Sequence, residues 1–110
     1  MLVANRPGVG TSKFMMEETD AALVTRAREG DPEAFGGLVE RHSARLFQLA
    51  FRMTGNEHDA EDVVQESFLR AYRQIDRFES RAVFATWLHR IAVNAALMKL
   101  RKRRDRKSVV

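Results

Sequence analysis

Apolar residues recur along this chain every three or four positions. They nowhere alternate over a stretch long enough for a strand, so the pattern predicts helices only. Leu23, Val24 and Ala27 form a short apolar face behind Asp20, a residue suited to the N-cap, and Gly30 ends it. Asp31-Pro32-Glu33 is the next start signal: Asp31 can cap, and Pro32 in the first turn gives up no needed hydrogen bond. Phe35, Leu38, Val39, His42, Leu46, Leu49, Ala50 and Met53 then keep helical spacing up to Gly55. Gly36-Gly37 weakens this helix by about 1 kcal/mol per glycine relative to alanine. A third helix, with caps in Asn56 to Asp59, carries Ala60, Val63, Val64, Phe68, Ala71, Tyr72 and Ile75 as its buried stripe. Asp62, Gln65, Glu66 and Arg73 are thereby left to solvent or a partner. The polar stretch 76–82 around Phe78 reads as a loop, with Ser80 as a cap for the helix that follows. That fourth helix turns Phe84, Trp87, Leu88, Ile91, Ala95 and Met98 inward. The expected fold is all-α, a compact bundle of about four helices with short connections. Residues 1–16 read as a disordered tail, 17–107 as one domain, and 108–110 as a second short tail.

Charge changes this picture more than composition does. The 110 residues are 45% hydrophobic and 31% charged, enough for one modest core. The formal net charge is +4, but Lys99 to Lys107 alone nets +6, and the remainder therefore nets −2. Residues 57–66 hold five acids and no lysine or arginine. An acidic block and a basic end in one short chain point to two different partners, one of them a polyanion. The longest apolar runs are too short to span a bilayer, so no membrane partner is expected. With no cysteine, disulfides, thiolate zinc sites and thiol catalysis are excluded, and the composition fits a cytoplasmic protein.

Catalytic chemistry is absent from the pattern, and no cofactor is implied. His42, His58 and His89 share no metal-binding spacing. The acids around His58 lack the glycine turn of a calcium loop and read as a helix start. Ser43, Ser67 and Ser80 have no sign of an activating base. Gly8 to Lys13 lacks the ending of a phosphate loop and follows no strand. Binding chemistry is concentrated in the last third instead. Phe78, Phe84 and Trp87 cluster around a polar loop, and the helix beyond exposes Arg90, Asn94, Lys99 and Arg101. Aromatic rings beside cations suit single-stranded nucleic acid, since bases stack on rings while cations meet phosphates. Asparagine can bond a base edge, adenine bidentately. Plain core packing accounts for Leu88 and Ile91, and competes evenly for Trp87.

Two motifs then become specific. Asp59-Ala60-Glu61-Asp62-Val63-Val64-Gln65-Glu66-Ser67-Phe68 is followed by Ala71-Tyr72, Phe78, and Phe84-Ala85-Thr86-Trp87-Leu88-His89-Arg90-Ile91-Ala92-Val93-Asn94. Together they resemble region 2 of a bacterial sigma factor of the sigma-70 family, in particular the extracytoplasmic-function (ECF) group, over about 20–106. The resemblance implies a transcription-initiation domain that makes and breaks no bond. Asp62, Gln65 and Glu66 match the motif that docks on the clamp helices of the RNA polymerase β′ subunit. Residues 78–83, with Phe78 and Arg81, correspond to a loop that captures a flipped base of the promoter −10 element on the non-template strand. Phe84, Trp87, Arg90 and Asn94 correspond to the DNA-reading helix, and Lys99, Arg101, Lys102 and Arg103 would meet phosphates. Anti-sigma proteins are a further partner class of the family. Two departures stand out. Housekeeping members carry a Trp-Trp pair that wedges the duplex open, where this chain has Trp87-Leu88, which fits the ECF group. The chain also leaves no room for region 4, the domain that reads the −35 element. The alternative is a helical interaction module whose basic tail binds nucleic acid or anionic membrane without sequence preference.

Overall fold

The computed structural model describes residues 18–79 and 81–109, with side chains through 105. They form four α-helices, α1 (Asp20–Arg28), α2 (Pro32–Thr54), α3 (Glu57–Gln74) and α4 (Phe84–Val109), with a 3₁₀ turn at Ile75–Arg77 after α3. No strand occurs among the described residues, as the apolar periodicity predicts. The expected tail at 1–16 lies outside the described residues, and α4 continues to Val109.

The helix ends follow from capping. Thr19, not Asp20, caps α1: its backbone is extended and its Oγ1 accepts from the Ala22 N–H at 3.0 Å. Asp20 is already helical and bonds Arg41 at 3.0 Å instead. After α1 the chain turns at Gly30 with φ 96°, and Asp31 accepts from the Glu33 N–H at 3.0 Å to open α2. At the end of α2, Gly55 has φ 67° and donates to the Phe51 carbonyl at 2.7 Å. Both glycines stand in the left-handed region, where a side chain is strained. Asn56 then caps α3, its side chain accepting from the Asp59 N–H at 2.9 Å. The helix α4 starts at Phe84; Ser80, the cap expected for it, lies outside the described residues.

The contacts divide the chain into two units, the break falling after Arg41 within α2. In the first, Leu23, Val24, Ala27, Ala34 and Leu38 are buried. Arg26 bonds Asp31 through Nε at 3.2 Å and Nη2 at 2.8 Å, and also reaches Glu18. In the second, a cluster of Ala50, Ala60, Val63, Ala95 and Ala96 joins α2, α3 and α4, with Phe47, Met53 and Val64 packed on it. Small side chains at the crossing let helix backbones approach closely, and the larger ones fill around them. Ser67 is fully buried in the same stripe of α3, and its hydroxyl donates to the Val63 carbonyl at 2.6 Å, so burial leaves no bond unmade.

Two inward assignments are corrected. Tyr72 is 57% exposed and Met98 43% exposed. The buried stripe of α3 runs through Ala60, Val63, Ser67 and Ala71, and Tyr72 lies about 100° past Ala71. On α4 the buried stripe runs through Phe84, Leu88, Ala92, Ala95 and Ala96, and Met98 falls beyond its edge. In both cases the residue lies outside the arc of the helix that faces the core, while large residues within that arc, Phe68 on α3 and Leu88 on α4, are buried.

Candidate functional site

The acids of α3 and the cations of α4 meet along a groove of about 360 Å³. Its walls include Asp62, Gln65 and Glu66 on one side and Lys99 and Lys102 on the other, over a floor with Leu69, Ala95 and Met98. The residues expected to serve two separate faces therefore share an edge. Lys99 Nζ bonds Asp62 at 2.9 Å and stands 3.8 Å from Asp59. Asp62 also has His58 at 3.8 Å. The Lys99 hydrogen bond, and less so the neighbouring charges of Lys99 and His58, hold the Asp62 carboxyl below its ordinary pKa against the opposing effect of burial. Arg70 bonds Glu66 at 2.9 Å and reaches across to the Met98 sulfur at 3.3 Å. Gln65 is exposed.

Arg103 has a different setting. Its Nη1 donates to the Thr54 carbonyl at 3.1 Å and pairs with Asp59 at 3.2 Å. It thus supplies a donor and a positive charge to the C-terminal end of α2, where carbonyls lack helical partners. Asp59, with 14% of its side chain exposed, lies within 4 Å of both Lys99 and Arg103.

The remaining polar candidates separate cleanly. Arg90, Asn94 and Arg101 are exposed, and their spacing of four and seven residues sets them on one stripe of α4. None of the three has a partner among the described residues. Trp87, half-buried, borders this stripe one turn before Arg90. Lys99 and Arg103 lie off it, on the side toward α3, while Lys102 is exposed at the groove. Arg81 is exposed in the segment before α4.

The aromatic cluster is built inward. Phe78 and Phe84 are each only 3% exposed. Their rings stand 5.8 Å apart edge to face, and Trp87 stands 5.1 Å from Phe78 and 5.8 Å from Phe84. His42 packs on Phe84 at 5.4 Å. Phe78 and Phe84, expected among the DNA-binding residues, stand here as core residues that brace Trp87, with no ring face open to stacking. Leu88, beside Trp87, is fully buried.

A feature that the sequence pattern misses lies between α2 and the opposite edge of α4. There a cavity of about 180 Å³ is lined by His42, Arg45, Gln48, Arg52 and His89 around apolar side chains, with no carboxylate among the described residues that line it. Arg45 and Arg52 are seven residues apart, which betrays a shared face of α2, but only packing brings His89 to them.

These features define an all-α domain with an acidic helix set against a basic one. The chain belongs to the sigma-70 region 2 family, whose pattern matches residues 38–106. It is 42% identical over 89 residues to the ECF RNA polymerase sigma factor SigW of Bacillus subtilis, a match covering 81% of this chain and 48% of that protein. It is 49% identical over 78 residues to the ECF RNA polymerase sigma-E factor of Haemophilus influenzae, covering 71% of this chain and 41% of that protein. The chain spans less than half the length of these relatives. Among solved structures it is similar to an engineered region 2 of sigmaE in complex with GTAAAA, with TM-score 0.77 and 42% identity over 82% of this chain and 94% of that one. It is also similar to CnrH in complex with the cytosolic domain of CnrY, with TM-score 0.68 and 38% identity over 72% of this chain and 51% of that one. The fold and the family expected from the motifs are those found, and no described helix is long and apolar enough to cross a membrane.

Proposed function

We propose that this chain acts in transcription initiation, binding core RNA polymerase through Asp62, Gln65 and Glu66 and reading the −10 element through α4. The observation that carries the reading is the exposed stripe of Arg90, Asn94 and Arg101 beside Trp87. It offers one base-reading amide between two phosphate-binding cations, next to a half-buried ring. The similar sigmaE region 2 is bound to GTAAAA, a strand rich in the base that asparagine bonds bidentately. Arg81 and Lys102 extend the cationic surface toward the strand at either end. Lys99 and Arg103 contribute at a distance, through the groove. Acids on α3 meeting basic residues of the clamp would set orientation and encounter rate, while Leu69 and its apolar neighbours hold the contact. The similarity to CnrH, solved in complex with the cytosolic domain of CnrY, supports an anti-sigma protein as a third partner class.

One paired experiment tests both faces. Binding to a panel of oligonucleotides based on GTAAAA should lose about 1–3 kcal/mol of base discrimination in Asn94→Ala. The Asp62→Lys/Glu66→Lys variant should bind core RNA polymerase more weakly while its circular dichroism stays helical. Unchanged base preference in the first and unchanged polymerase affinity in the second would reject the reading. The chain would then be a polyanion binder without sequence preference.

A further inference from the structure

The groove couples the two partners through Lys99, an inference that rests on the function proposed above. Lys99 is placed for phosphate contact by its neighbours, since Lys102 lies one turn further along the same groove and is exposed. Yet its ammonium is spent on α3, at 2.9 Å from Asp62 and 3.8 Å from Asp59. Asp62 is in turn one of the acids that a basic clamp surface would engage. The same ion pair therefore withholds a cation from DNA and an acid from polymerase. Arg103 cannot move as freely, because the Thr54 carbonyl and Asp59 hold it from two elements. Among the described residues Lys99 has no such anchor on a second element: both its partners there lie on α3, and its four-carbon stem rotates readily.

We propose that Lys99 is an exchangeable cation: a basic partner surface that takes Asp62 releases Lys99 to a DNA phosphate, so that polymerase and −10 DNA each tighten the binding of the other. Both groups of the pair are partly exposed, which limits the size of the coupling. An exchange of one such pair is worth up to about a five-fold change in affinity. Linkage makes the factor equal in both directions. Salt should reduce it, because the pair and the phosphate contact are both screened.

The test uses the 110-residue chain with GTAAAA and with core RNA polymerase. In the absence of polymerase, Asp62→Asn removes the 2.9 Å partner of Lys99 and leaves only the longer 3.8 Å approach to Asp59, so it should tighten oligonucleotide binding, by up to about five-fold. Glu57→Gln removes the same charge from an exposed site on the same helix and should change it far less. Asp62→Asn/Lys99→Met should lose the gain. With polymerase present, the oligonucleotide should raise polymerase affinity less for Lys99→Met than for the wild-type chain. Thermal unfolding of each variant confirms that the compared chains are folded. Equal effects of Asp62→Asn and Glu57→Gln, or a gain that survives Lys99→Met, overturn the exchange while leaving the proposed function standing. A wild-type chain that binds neither partner overturns both.

Discussion

Leu88 accounts for one departure from the housekeeping members of the family. The position after Trp87 is fully buried, on the stripe of α4 that faces the core. Leu88 as placed offers no surface to a base. Installing the pair by Leu88→Trp should therefore overpack the interior by at least about 1–3 kcal/mol and yield no gain in strand opening. A lowered midpoint in thermal unfolding, with duplex opening unchanged, checks this. Trp87 differs by one residue and 100° of helix, which leaves it half-buried. At this scale the sequence motif names the right neighbours but cannot say which of them is turned inward. Phe78 and Phe84 illustrate the same limit: aromatic clustering is legible, while the direction of each ring depends on what the others fill.

The helical elements are well predicted because their ends carry local signals. Pro32 opens α2, Gly30 and Gly55 close helices with positive φ, and Asn56 caps α3. These signals act over a few residues and survive without knowledge of the rest of the fold. At Gly55 no atom stands within 4 Å of a built Cβ, so a substitution there meets strain but no clash. Gly55→Ala should cost about 1–2 kcal/mol, the penalty of a left-handed side-chain-bearing residue. Denaturant unfolding with an unchanged slope is the expected result, since the surface exposed on unfolding stays the same. The misassigned Asp20 shows the limit of the local signal. Thr19 and Asp20 are both capping residues, and the pairing of Asp20 with Arg41, 21 positions away, goes with the choice of Thr19.

Across the molecule, charge is arranged to be partly neutralised within the fold. Asp31 is held below the ordinary carboxylate range chiefly by its hydrogen bond from Arg26, and Asp62 chiefly by the one from Lys99. Both carboxyls therefore bind protons more weakly folded than unfolded. Their contribution to stability is complete above the unfolded value of about 4 and is lost as pH falls through their lower folded values. Urea unfolding as a function of pH should show stability declining on the acid side of pH 4. Lys99→Met should remove the share of that decline that belongs to Asp62, because the carboxyl then loses its principal donor.

The amino-acid sequence by itself determined the all-α class, most helix ends, the family, and the identity of the acidic and basic segments. These properties rest on periodicity, on capping chemistry and on linear motifs, all of which act along the chain. Only the tertiary structure decided which charges are available. Asp62 and Lys99 are 37 residues apart, and their bond at 2.9 Å exists because the small residues Ala60, Ala95 and Ala96 help join α3 and α4 in one core. Arg90, Asn94 and Arg101 have no partner among the described residues, because the same packing turns their stripe of α4 to solvent. A linear count of charge cannot separate the two sets, since helix rotation and packing, rather than composition, assign each cation its partner.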